Sequence, residues 1–335
     1  MATSGDQFAA GAFSVTKNPV PIRRTGSKIL IVVVRYLTPL QESQTIQTLC
    51  SGMAGDLDLE RNVSTLIWDN SPAPQSVSEL PIQVEYRHSD ENVGVAGAYN
   101  YAMELAEQRG FSWLLLLDQD TNIPPGFVPA MRDYACRLEA DPRIAAVAPT
   151  VLMRGWSVSP KVMSRWGGAR DPAPNFQGPI FNELIIMNSG MLLRVSALRR
   201  IGGYSMDYWL DFSDRYVCHM LSKYEYGAWL AGELQLDHDV SIMAGEGATS
   251  LARFENLMAA QDAYFSEHKS VLRNIVFCHR LLRSAWRERK GYPERARLLY
   301  SLAWRRLTVA KRRRLKEWRR NVTIQRGDAS RSTAA

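Results

Sequence analysis

"SWLLLLDQDT", residues 112–121, sets four consecutive leucines against two aspartates spaced i, i+2. A leucine run without alternation has no polar face, so it reads as a strand covered on both sides, as in a parallel sheet between layers of helices. Asp118 and Asp120 then stand at its C-terminal edge. Ligands of open α/β sheets bind at that edge, and residues two apart on an extended chain point the same way. Both carboxylates can therefore face one object, most simply a divalent cation, while Gln119 turns to the other side.

Outward from this strand the chain alternates. "KILIVVVRY" (28–36), "STLIWDNS" (64–71), "IQVEYRHS" (82–89) and "IAAVAPTVL" (144–152) read as further strands, with helices expected at about 40–53, 95–109 and 126–140. Strand–helix alternation implies an α/β fold with a mainly parallel sheet and right-handed crossovers. Residues 153–180, rich in Gly, Pro, Trp and Arg and without a period, read as one long functional loop. A strand and a helix stopped by Gly202 and Gly203 follow, then a helix in "DYWLDFSDRYVCHMLSKY" and a strand in "GAWLAGELQLDHDVS". Beyond about 252 the pattern is helical to near 320. The expected organisation is a flexible arm (1–27), a main domain (28–270), a basic amphipathic helical extension (271–322) and a disordered tail (323–335).

Composition excludes several classes. No stretch reaches the roughly 18 apolar residues of a spanning helix. The opening 27 residues lack the basic start and apolar run of a secretory signal. Cys50, Cys136, Cys218 and Cys278 form no CxxC pair, which argues against a zinc site or a disulfide framework and for reduced thiols in the cytosol. The net charge of +7 is unevenly spread: residues 273–335 hold 19 Lys and Arg against four Asp and Glu, so a body near −8 carries an extension near +15.

Seven landmarks occur in order: "VVVRY" (32–36), "IWDNSP" (67–72), "ENVGVAGAYNYAM" (91–103), "LLLLDQDT" (114–121), "MNSGMLLR" (187–194), "LDFSDRY" (210–216) and "DHDVS" (237–241). Together, over roughly residues 28–270, they resemble the family 2 glycosyltransferases of GT-A fold, and among these the rhamnosyltransferase-like branch of bacterial polysaccharide assembly. The resemblance implies a mixed, mainly parallel GT-A sheet, a nucleoside diphosphate sugar donor and Mg²⁺ or Mn²⁺. It places Arg35 and Tyr36 where a base or ribose rests. Asp69 would accept hydrogen bonds from the nucleoside, although Asp-Asn-Ser-Pro is equally strong turn chemistry.

Gly94, with Ala96, Gly97 and Ala98, would let backbone approach the nucleotide at a helix N-terminus that offers N–H groups to phosphate. Asn92 and Asn100 match polar positions of the family, a helix cap and a packed amide being the alternatives. Asp118 and Asp120 match its metal-binding DxD motif, Asp118 also touching the donor. His238, flanked by Asp237 and Asp239, resembles a histidine near metal or diphosphate. Asp214 aligns with the family's catalytic base, and Asp211 one helical turn earlier is the alternative. The sequence departs from the family just after: Arg215, Tyr216 and Met220 stand where a second acid and an arginine are usual.

In the basic extension, positions 299, 302, 303, 307, 310 and 318 share roughly one helical face flanked by arginines. That is the layout of a helix on an anionic membrane, a packed helix with a solvated basic face being the alternative. Nucleic acid is not expected, because no recognition module is present. The expected activity is inverting, metal-dependent transfer of a sugar to a hydroxyl of a lipid-linked saccharide, by a cytoplasmic protein at the inner face of the membrane. A sugar nucleotidyltransferase would need a Gly-rich basic loop after the first strand, and "RYLTPLQESQTIQTLC" has neither Gly nor Lys. A catalytically silent scaffold is the other rival.

Overall fold

A computed structural model describes residues 26–77, 80–164, 168–238 and 250–331, apart from the side chains of His238 and of the residues after Gly327. Strands β1 (Ile29–Arg35), β2 (Val63–Asp69), β3 (Val84–His88), β4 (Trp113–Asp118), β5 (Thr121–Asn122) and β6 (Ile144–Met153) alternate with helices α1 (Gln44–Met53), α2 (Leu57–Asn62), α3 (Gly94–Arg109) and α4 (Phe127–Leu138). Next come β7 (Trp156–Ser159), β8 (Lys161–Met163), β9 (Ala169–Arg170), β10 (Gln177–Ile180), β11 (Leu184–Ile185) and β12 (Leu192–Arg194). Helices α5 (Val195–Arg200) and α6 (Ser213–Lys223) lead to β13 (Gly227–His238).

The main sheet has the order β10-β13-β6-β12-β4-β1-β2-β3. β1 pairs in parallel with β2 and β4, and β3 with β2. β12 runs antiparallel between β4 and β6, and β13 returns parallel to β6. This is the mixed, mainly parallel, helix-flanked sheet of a GT-A fold.

Leu114 to Leu117 are 0% exposed. Leu114 and Leu116 share a core with Ala98, Tyr99 and Ala102 of α3, while Trp113, Leu115 and Leu117 share the opposite one with Leu49 of α1 and Met131 of α4. Two helical layers thus explain the missing alternation, each buried Leu contributing about 1.5–3 kcal/mol.

The segment 153–180 is not one loop. β7 folds back on β6, β10 pairs with β13, and β8 joins β9 and β11 in a small separate sheet. Strands of two to four residues are too short to show a period in the sequence.

Helices α7 (Leu251–His268), α8 (Val271–Glu288), α9 (Pro293–Thr308) and α10 (Lys311–Arg331) follow. None of the described helices is long and apolar enough to cross a membrane. α10 continues past residue 322, where the sequence suggests a disordered tail. The face expected to meet lipid is largely turned inward. Leu299 and Ala303 are buried against Phe277 and Leu281 of α8, and Trp318 and Val322 join the core below α3. Arginines clamp this packing: Arg306 and Arg314 both pair with Asp262 of α7, and Arg319 reaches Asp207 at 2.9 Å and Glu267 at 2.7 Å. Leu307 of that face stays exposed, as do Trp286 and Trp304 outside it.

Candidate active site

The C-terminal ends of β1, β2 and β4 form the site's floor. Asp118 closes β4 and Asp120 lies in the turn to β5. The Asp118 N–H donates to Ser189 Oγ at 3.2 Å. Thr45, fully buried at the start of α1, donates its hydroxyl to the Asp118 carbonyl and accepts the Thr121 N–H at 2.9 Å. Ser43 Oγ donates to the Gln119 carbonyl at 2.8 Å, and the Gln119 side chain accepts the Tyr36 N–H at 2.8 Å. Four side chains thus fix the shape of the DQD turn, an example of a site held rigid by its supporting shell. β13 ends by pairing with β5, His238 opposite Thr121, so the chain brings Asp118, Asp120 and the backbone of His238 to one edge. The His238 side chain and Asp239 lie outside the described residues.

Arg35 and Asp69 are 1% and 0% exposed and form an ion pair. The remaining capacity of Asp69 accepts the Tyr86 hydroxyl and, at 2.8 Å, the Ser71 N–H; Arg35 also donates to the Thr38 carbonyl. Both residues, expected to meet the nucleoside, have these hydrogen-bonding groups turned to protein. Tyr36 is the exposed member of the trio.

The approach to α3 departs from expectation. Its leading N–H groups are taken internally: Val93 donates to Asn70 Oδ1 at 3.2 Å, Gly94 to Asn92 Oδ1 at 2.9 Å, and Ala96 to the Trp209 carbonyl at 3.0 Å. Gly94, at φ +65°, must be small to admit Trp209, since a Cβ there would lie 2.3 Å from the Trp209 carbonyl oxygen. Gly94→Ala is expected to cost about 2–4 kcal/mol by combining overpacking with left-handed backbone. Urea unfolding measures it, and a loss below about 0.5 kcal/mol would contradict this reading. Asn92 acts as an Asx cap. Asn100 uses its amide as a clasp on the Tyr204 backbone, with contacts of 2.8 and 2.9 Å.

Asp211 and Asp214 are not on one helical face. Phe212 adopts φ +63° and caps α6, which leaves Asp211 outside the helix. Arg253 of α7 grips both Asp211 oxygens, one at 2.6 Å. Asp214 stands in the first turn of α6, where burial, reinforced by Asp211 and opposed by Arg215, raises its carboxyl above the usual range. Tyr216 and Met220, where the family resemblance leads one to expect charge, pack on the core instead; Tyr216 stacks on Tyr208 at 5.8 Å.

Two buried tyrosines connect the halves. The rings of Tyr99 and Tyr204 are 5.1 Å apart, and both phenols are pushed well above their ordinary value, first by burial and further by the charges of Asp118 and Asp214. The end of β4 and the start of α6 are linked through residues 188 and 189, Ser189 accepting the Asp118 N–H. Asn188 completes the junction, accepting the Tyr204 hydroxyl at 2.9 Å and donating to Ser213 Oγ at 3.0 Å. Asn70, Asn188 and Ser189 lie inside the quoted landmarks, and their signal in the sequence is only a polar amide or hydroxyl inside an otherwise apolar motif. Thr45 and Tyr204 carry no such signal.

Residues 66–202 match the family described as glycosyl transferase family 2. No curated protein matches the chain. Among solved structures, GalNAc-T7, crystallised with UDP, GalNAc and Mn²⁺, superposes with a TM-score of 0.52 at 9% identity, over 81% of this chain and 52% of that one. This chain thus spans about half of GalNAc-T7. The mannosyltransferase PcManGT from Pyrobaculum calidifontis, in complex with GDP-Man and Mn²⁺, gives 0.44 at 13% identity, covering 93% of this chain and 79% of that one. Residues 1–349 of S. aureus TarS give 0.45 at 13%, over 90% and 92%. The matched segment, residues 66–202, is similar to a family 2 glycosyltransferase domain and lies on a sheet of GT-A arrangement. The protein is a glycosyltransferase.

Proposed function

We propose that this glycosyltransferase is inverting and metal-dependent, and that it moves a sugar from a nucleoside diphosphate donor to a hydroxyl of a saccharide acceptor. The carrying observation is that the adjacent residues Asn188 and Ser189 tie the start of α6 at Ser213, beside Asp214, to the end of β4 at Asp118. Asp118 and Asp120, with His238, would hold Mg²⁺ or Mn²⁺. Two carboxylates and one imidazole would leave positions for phosphate oxygens and water, the shell that suits Mg²⁺ or Mn²⁺. When bound, such an ion neutralises charge on the diphosphate. Asp214 takes the acceptor proton as the acceptor oxygen bonds to the anomeric carbon and the bond to diphosphate breaks. Asp211, held by Arg253, positions the Phe212–Ser213 turn.

The acceptor is proposed to be lipid-linked and the protein peripheral at the inner face of a bacterial membrane. Val271, Ile275, Leu282 and Trp286 form an exposed apolar stripe along α8, with Arg283, Arg287 and Lys290 nearby in sequence. Apolar rings beside basic residues suit an anionic headgroup layer. Rhamnose is the proposed sugar on the resemblance alone.

Thermal shift with UDP-, GDP- and dTDP-sugars tests the donor site. With Mn²⁺ but not with EDTA, one donor at a hundredfold excess over Kd is expected to stabilise the fold by about 2.7 kcal/mol, read as a higher melting temperature. Asp120→Ala is expected to abolish the shift; a variant that still binds the donor in a metal-dependent manner would remove Asp120 from the metal site.

A further inference from the structure

A cavity of about 140 Å³ lies between α6, α7, α8 and the small sheet. Phe212 and Arg215, which bracket Ser213 and Asp214, form part of its wall. Lys269, Arg273 and Arg280 face them from the helical extension, and Tyr264 and Phe265 supply aromatic surface. One carboxylate, Glu183, stands among these four cations. It pairs with Lys269 and, at 2.7 Å, with Arg273. Burial works against its ionisation, but contacts with His219, Lys269 and Arg273 overcome that and hold it well below the usual carboxylate range.

Arg215 and Arg280 make no ion pair among the described residues, so the cavity keeps an excess of positive charge. Such an excess in a partly desolvated recess attracts anions, and guanidinium groups match the geometry of phosphate oxygens. The volume corresponds to about four or five water molecules, room for a phosphoryl group. Val276 lines the cavity and sits on α8 next to the exposed Ile275.

We propose that this cavity is an acceptor subsite that binds a phosphoryl group carried by the acceptor, next to the hydroxyl that reacts at Asp214. The proposal rests on the glycosyltransferase reading and adds the chemical class of the acceptor. A phosphate on a saccharide and a phosphate on a lipid present the same oxygens to Arg215 and Arg280, and only the second would also use the α8 stripe.

Titration calorimetry on the full chain in EDTA, with farnesyl phosphate, glucose 1-phosphate and farnesol, separates these sources. At least one phosphate is expected to bind and farnesol not to. Arg280→Glu, at an exposed position that leaves folding intact, is expected to weaken that binding at least tenfold, and Arg280→Lys to restore most of it. Preference for farnesyl phosphate assigns the phosphoryl group to a lipid, and preference for glucose 1-phosphate to a saccharide. No binding of either phosphate, or equal binding by Arg280→Glu, would overturn the proposal. The nucleotide-sugar panel with Mn²⁺, run on the same proteins, is expected to be indifferent to Arg280→Glu. A wild-type protein that binds no donor but loses phosphate binding on Arg280→Glu would overturn the donor reading and leave the anion cavity standing.

Discussion

Asp214→Asn is expected to lower sugar transfer roughly 10²- to 10⁴-fold while metal-dependent donor binding persists. The asparagine keeps the shape of the α6 start but cannot accept the acceptor's proton. Burial raises the Asp214 carboxyl, so the acid limb of the pH profile of kcat/KM should lie above the ordinary carboxylate range and vanish in the variant. The same burial has a thermodynamic sign. A folded state that holds the proton more tightly than the unfolded chain loses stability as pH rises from the ordinary carboxylate value through the raised one. At neutral pH the ionised Asp214 is therefore a cost, and Asp214→Asn should melt higher than the parent at pH 7 while matching it more closely at pH 4. Full transfer by Asp214→Asn would move the base to Asp211. Asp211→Asn is expected to do less, since it loosens the Arg253 grip on the turn without removing the proton acceptor.

Arg35→Met is expected to destabilise the fold by about 3–5 kcal/mol, the cost of leaving a buried carboxylate without its cation. Asp69 is fully buried and has no water to turn to. Asp69→Asn alone should also be costly, whereas the double variant Arg35→Met with Asp69→Asn should recover part of the loss, because no isolated charge remains. Urea midpoints at pH 7 give the cycle. If each single change costs under about 1 kcal/mol, the pair is not the keystone of this sheet edge. If donor binding falls with stability intact, Arg35 or Asp69 contacts the nucleotide after all.

The Leu114–Leu117 run was legible because a strand with helical layers on both faces cannot alternate, and the carboxylates at its end follow from the same geometry. The order of landmarks carried the class. Three features were not legible for definite reasons. The strands between residues 156 and 185 are two to four residues long, and short antiparallel pairs are written in turns rather than in periodicity. The break before α6 depends on Phe212 adopting a left-handed backbone, a conformation imposed by tertiary contacts and invisible as a propensity. An amphipathic basic helix looks alike whether its apolar stripe meets lipid or protein. Only the packing of Leu299, Ala303 and Trp318 decides it.

The docking of α10 carries a consequence for biosynthesis. Trp318 and Val322 belong to the same core as Leu30 of β1, so segments about 290 residues apart in the chain close one hydrophobic surface. Domains tend to fold from the N-terminus as they are synthesised, yet this core stays open until the region around residue 322 has left the ribosome. The nascent chain must keep an apolar face covered during that interval. A translation arrest or a premature stop before α10 should thus yield aggregation-prone chains rather than a shorter working enzyme.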